Sequence, residues 1–192
     1  RDVAPSRGLG DVYKRQLCGE CRKSHREFDR GRSVFFYNDK MRQSLLRYKY
    51  YGNRDYAEYY AVSLCRYMER EIRMWKPDLI VPVPMHPRKQ RERGFNQAAD
   101  LAEKAGGILK IPMSDQVVKK TKATRSQKKL NAAERKQNLR MAFQATERLD
   151  GLRILVIDDV YTTGSTIEAM AHVLKAAGAD KVFFVTLCTG QI

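Results

Sequence analysis

The run RILVID at 153–158 shows no alternation of apolar and polar residues, so a strand built from it must be covered on both faces. TTGST follows at 162–166. Ile167, Met170, Ala171, Leu174 and Ala177 then recur at the three-to-four spacing of one helix face. Gly178 closes that pattern, and residues 181–187 form a second buried strand type. Strand, helix and strand in this order predict a βαβ unit and hence a parallel sheet. Ligands of such sheets sit beyond the carboxyl ends of the strands.

Asp158 and Asp159 stand side by side at that edge, followed by Thr162, Thr163, Gly164, Ser165 and Thr166. Carboxylates suit a vicinal diol, because each offers two acceptor oxygens and no donor. Gly164 permits close approach of the backbone to a ligand. Amide N–H groups at a helix start, with the hydroxyls around them, make a phosphate cradle. A diol binder directly beside a monophosphate binder describes ribose 5-phosphate. The turn has no P-loop lysine, which excludes an ATPase P-loop.

Upstream, a strand is expected at 33–37 and a basic, aromatic helix at 41–51. A long helix is expected at 55–75, with Ala57, Ala61, Leu64, Met68, Ile72 and Trp75 on one face and Pro77 ending it. Residues 79–84 predict a buried strand entering a proline-stiffened loop. A helix follows at 94–105, closed by Gly106 and Gly107. A short strand starts at Val117, and residues 139–143 predict a return strand. Between them, residues 119–140 hold nine Lys or Arg against one Glu and read as a charged excursion from the core.

The net charge of +15 is uneven: +7 in residues 1–50, +9 in residues 51–150 and −1 in residues 151–192. A basic body with a nearly neutral C-terminal segment suits an anionic partner, a phosphorylated small molecule or nucleic acid. Lys119, Lys120, Lys128 and Lys129 are the nucleic-acid candidates. Tyr48, Tyr50 and Tyr51 have two uses open to them, stacking on bases or packing in the core. With 43% apolar residues the chain is globular rather than disordered. No run approaches the roughly 18–20 apolar residues of a membrane span, and no secretory h-region follows the start, so the expected address is the cytoplasm.

Cys65 and Cys188 lie in apolar stretches and read as small core residues. Cys18 and Cys21 form a CxxC, two of the four ligands of a structural zinc, with His25 the only nearby alternative ligand. Residues 1–16 lack helical or strand periodicity and read as a non-native or disordered leader. Residues 17–32 read as the remnant of a zinc module, and residues 33–192 as the main domain.

Residues 154–166 resemble the phosphoribosyl pyrophosphate (PRPP) loop of type I phosphoribosyltransferases. YKYYG at 48–52, VPVPMHPRKQRERGFNQ at 81–97, TRSQKKLNAAERKQNL at 124–139 and the CxxC narrow the resemblance to the ComF family, named for competence proteins of natural transformation. It spans about residues 17–190. The resemblance implies an α/β, parallel-sheet phosphoribosyltransferase-like domain behind a truncated zinc-ribbon-like segment; family members usually carry four zinc-binding cysteines. It implies that Asp158 and Asp159 take the ribose 2′- and 3′-hydroxyls, and that Thr162, Thr163, Gly164, Ser165 and Thr166 hold the 5′-phosphate. Pro84, Met85 and His86 would form the diphosphate loop, with Arg88, Arg91 and Arg93 neutralising its charge. Mg²⁺ would bridge diphosphate and ribose oxygens. The basic segment at 119–140 takes the place of the loop that closes over PRPP. Single-stranded DNA and competence or helicase proteins are the implied partners. His86 is left as either an acid or a loop residue, Phe95 as a packing residue, and Asn96 and Gln97 as residues that steady the loop.

Overall fold

The computed structural model describes residues 26–50, 55–121 and 141–190. Residues 1–16, the CxxC at Cys18 and Cys21, His25, Tyr51, Lys128 and Lys129 lie outside the described residues. Among the described residues eleven elements follow one another: β1 (Arg30–Phe36), α1 (Asp39–Tyr50), α2 (Asp55–Trp75), β2 (Leu79–Pro82), α3 (Pro87–Arg93), α4 (Gln97–Leu109), β3 (Val118–Lys120), β4 (Phe143–Ala145), β5 (Arg153–Tyr161), α5 (Ser165–Ala176) and β6 (Lys181–Thr189).

Four strands form one sheet in the order β1-β6-β5-β2, and every pairing in it is parallel. β3 and β4 make a separate antiparallel ribbon. Because successive side chains point to opposite faces, β5 and β6 each supply two cores. Ile154, Val156, Val182 and Phe184 pack with α5 and the β3–β4 ribbon. Leu155, Ile157, Phe183, Val185 and Leu187 pack with α1, α2 and α4. This two-sided cover is what the unbroken apolar runs require.

α2 buries the face read from its spacing, with Ala57, Ala61, Leu64, Met68, Ile72 and Trp75 all in the core. Trp75 stacks on Phe183 with ring planes 6° apart. Several boundaries differ from the sequence expectation, among them the return strand β4, which begins at Phe143, where the strand expected over 139–143 was to end. Gly94 (φ 88°) is the left-handed cap of the short helix α3, so α4 starts at Gln97 with Asn96 as its N-cap. α4 also runs through Gly106 and Gly107 to Leu109, and Lys110 (φ 58°) ends it. Gly106 is needed there for space: a Cβ would lie 2.9 Å from the Ile111 carbonyl oxygen. Finally, the folded core takes in residues before 33: Phe28 is fully buried against Phe184, and β1 starts at Arg30. Among the described residues no helix is long and apolar enough to cross a membrane.

Candidate functional site

β5 continues past its apolar run to Tyr161, because β6 stays beside it: Asp158 pairs with Thr186, Val160 with Cys188 and Tyr161 with Thr189. β2 does not continue. Its last partner is Ile157, opposite Pro82, and after Val83 donates to the Ile157 carbonyl the chain turns away through Pro84. The edge of β5 is therefore open at Asp158 and Asp159. A cleft of about 490 Å³ occupies this opening. Pro84, Met85, Arg88, Arg93, Asp158, Asp159 and Thr166 of the expected site all line it.

The acids lie inside the strand rather than at its end, and both are more than nine-tenths buried. Asp158 Oδ1 accepts the Asp159 amide N–H at 2.8 Å. Burial pushes the Asp158 carboxyl well above the ordinary carboxylate range; the Asp159 charge pushes the same way, and the Asp159 amide and Lys49 offset only part of this. Asp159 forms an ion pair with Lys49.

Beyond β5 the chain turns on Gly164 (φ 76°), where a Cβ would sit 2.3 Å from the Tyr161 hydroxyl. Tyr161 cannot yield easily, since it is buried and stacked on Phe184 with planes 3° apart. Gly164 is also the N-cap of α5 and brings no side-chain cap. The only side-chain bond to this turn's amides among the described residues is a long one, Ser165 N–H to Thr163 Oγ1 at 3.4 Å. Thr163 and Ser165 hydroxyls meet at 2.8 Å, and Thr162 and Thr163 are exposed. A helix start with glycine in place of a Ser, Thr or Asp cap leaves its amide hydrogens to an anion.

Across the cleft, Pro84, Met85 and His86 lead into α3. His86 is the N-cap of α3: its Nδ1 accepts the Arg88 N–H at 3.2 Å. With Nδ1 accepting that bond, the neutral ring carries its proton on Nε2, and the residue lines this cleft and an adjoining one. The three arginines separate. Arg88 reaches the cleft while bound to Glu92 at 3.0 Å. Arg93 lines it half-buried, donating to Gln97 Oε1 and, at 3.2 Å, to the Tyr50 hydroxyl. Arg91 is exposed and lines neither this cleft nor the adjoining one of about 470 Å³.

The lysines separate as well. Lys119 is exposed and faces the adjoining cleft. Lys120 lines both clefts, and burial and Lys89 lower its pKa against the pull of Asp158. Tyr48 is buried and donates to the Gln97 carbonyl, which makes it a core residue; Tyr50 is 64% exposed. Phe95 packs against Tyr48, and Asn96 donates to the Val83 carbonyl, steadying the loop. Three charged cleft residues were not singled out in the sequence, Lys49, Lys89 and Glu92. Lys49 had a signal: it follows Tyr48 and lies four residues after Leu45, so it borders the buried face of α1.

A phosphoribosyl transferase domain model matches residues 61–192. The chain is 30% identical to Competence protein F of Haemophilus influenzae over 177 residues, 88% of this chain and 77% of that protein. It is 31% identical to the DNA utilization protein YhgH of Salmonella typhimurium over 193 aligned positions, 97% of this chain and 83% of that protein. The solved structure of the allosteric regulatory enzyme of purine biosynthesis shares its fold, with a TM-score of 0.50 at 18% identity over 73% of this chain and 29% of that one.

Proposed function

Since this chain belongs to the phosphoribosyl transferase domain family, among its competence-protein members of ComF type, we propose that its cleft binds PRPP and transfers or recognises the phosphoribosyl group. One observation carries the reading: the glycine-capped start of α5 lies directly after a buried acid pair, at the point where β2 leaves β5. Asp158 and Asp159 take the ribose hydroxyls. Amides and hydroxyls of Thr162, Thr163, Gly164, Ser165 and Thr166 take the 5′-phosphate. The diphosphate faces the loop at Pro84 and Met85, with the His86 Nε2–H, Arg88 and Lys120 as donors. Arg91 has no part in this arrangement.

Mg²⁺ fits the donor set. The acid pair offers hard oxygen ligands, but among the described residues no three His, Cys, Asp or Glu side chains gather to hold a metal unaided. Asp158 and Asp159 would therefore share the ion with the ligand's own oxygens, where it would neutralise diphosphate charge. Transfer forms a bond from an acceptor nitrogen to ribose C1. The C1–O bond breaks with its electron pair leaving on diphosphate, and the nitrogen's proton passes to solvent. The transition state is oxocarbenium-like, so the cleft acts by positioning and by charge.

Calorimetry with PRPP and Mg²⁺ on the full chain tests this, followed by a pyrophosphate-release screen over bases and amines. The Asp158→Asn/Asp159→Asn double variant is expected to lose the binding heat. Unchanged PRPP affinity in that variant overturns the reading. A second reading, a non-catalytic protein that handles single-stranded DNA, draws on the net charge of +15 and on the name of the YhgH relative.

A further inference from the structure

Lys49 enters the cleft from α1, far in sequence from the β5–α5 turn, and the residues on either side of it fix where it stands. Tyr48 is fully buried and donates to the Gln97 carbonyl at 2.9 Å and to Asp100 Oδ2 at 3.2 Å. The Tyr50 hydroxyl accepts from Arg93 at 3.2 Å, and the Arg93 guanidinium lies 4.9 Å from the centre of the Tyr50 ring. The last turn of α1 is thus pinned to α4 and α3. Lys49 is only 20% exposed on its side chain, and the acid that it meets is Asp159. This is a placed cation, not a free surface lysine swinging through solvent.

The charges around the cleft favour an anion as the first arrival. Lys49, Arg88, Lys89, Arg93 and Lys120 face Glu92, Asp158 and Asp159, five cations against three acids. Glu92 is already taken up by Arg88 at 3.0 Å. A divalent cation arriving alone meets a net positive cleft. It must also separate Lys49 from Asp159 without a third protein ligand to complete its shell, as far as the described residues go. An anionic sugar diphosphate changes both conditions, since it offers Lys49 new oxygens and the metal additional ligands.

We infer that Lys49 is a built-in counter-ion that holds Asp159 against free metal, so that the acid pair accepts a divalent cation only together with the phosphorylated sugar. The inference rests on the ligand reading above and adds a positioning residue and an order of binding to it. Lys49 would move from Asp159 to the incoming anion, leaving Asp159 free to hold the metal beside Asp158.

The test needs no turnover. The full chain is titrated with MnCl₂ alone, as the probe for Mg²⁺, and free Mn²⁺ is followed by electron paramagnetic resonance. Wild type and Lys49→Arg are expected to leave the metal free, while Lys49→Met gains a single site at least about tenfold tighter. Lys49→Gln keeps a polar end without the charge and should behave as Lys49→Met does; it carries the test if the methionine variant does not fold by circular dichroism. Adding Asp159→Asn to either neutral variant should abolish the gained site. Equal metal affinity in wild type and the folded neutral variant overturns the counter-ion role, as does tight binding of metal alone by wild type. Parallel calorimetry of wild type with PRPP and Mg²⁺ keeps the two ideas apart: absence of PRPP binding there overturns the ligand reading, whatever the manganese titration gives.

Discussion

Asp158 is a carboxyl held where the fold penalises its charge, chiefly through burial and then through Asp159. A folded-state pKa above the unfolded one means that the native protein binds the proton more tightly than the unfolded chain does. The group's favourable contribution is therefore complete below the ordinary carboxylate value, about 3.9, and is lost as pH rises through the raised folded value. At neutral pH the apo protein carries that cost. Asn in its place keeps an oxygen to accept the Asp159 N–H and removes the charge. Asp158→Asn should raise the melting temperature at pH 7 by about 2–4 °C, the shift that about 1 kcal/mol produces in a domain of this size. The gap should close as the melts are repeated down to pH 4, and a variant less stable at pH 7 would contradict the assignment. Asp29 behaves with the opposite sign. Burial would raise it, but the Val182 amide, Lys175 and Lys181 outweigh burial and hold it low, so its contribution is present at neutral pH and lost as pH falls.

At the scale of one element, α4 shows how two adjacent glycines differ. Gly106 is buried, and a Cβ there meets the Ile111 carbonyl oxygen at 2.9 Å; Gly107 is exposed, and a Cβ there meets nothing within 4 Å. Glycine in a helix interior costs about 0.5–1 kcal/mol relative to alanine through its freedom in the unfolded chain. Gly107→Ala should therefore raise the melting temperature by about 2–4 °C, while Gly106→Ala should lower it, as thermal melts of the two single variants will read. The pair also shows why this boundary was hidden in the sequence: a Gly-Gly step signals a helix end unless a neighbouring backbone claims the space beside one of them. Periodicity was a sound guide where burial is one-sided, as along α2, or complete, as in β5 and β6. It also placed Asp158, Asp159 and the glycine turn together, because these adjoin in the chain. Lys49 and Lys89 reach the same cleft from other elements, and the distinction between Lys119 and Lys120 depends on which face of a three-residue strand each occupies. Such convergence is a property of tertiary packing, which local patterns carry only indirectly.

For the whole molecule, the excess charge lies on residues 1–150, while residues 151–192, which carry the acid pair and the glycine turn, have a net charge of −1. Long-range attraction of anions and short-range recognition of a ligand are thus assigned to different parts of the chain. The first draws a sugar diphosphate and a nucleic-acid backbone alike, and it weakens with salt; the second depends on the cleft. If single-stranded DNA follows the basic segment, each phosphate that a substitution leaves without its lysine should flatten the dependence of log K on log salt by about 0.7. Lys120 is unsuited to that test because it lines the cleft. Lys119, Lys128 and Lys129 remain, and replacing all three by Gln should reduce the slope by about 2, measured by fluorescence anisotropy of a labelled single strand at several salt concentrations. Such a variant keeps its PRPP affinity if the two functions are separate, and the Asp158→Asn/Asp159→Asn variant keeps the wild-type DNA slope. An unchanged slope in the triple-Gln variant removes Lys119, Lys128 and Lys129 from DNA binding and turns attention to α1 and α3, which each carry four basic residues against one acid. Loss of PRPP binding in that same variant would instead mean that the segment serves the cleft, with its lysines meeting diphosphate rather than DNA.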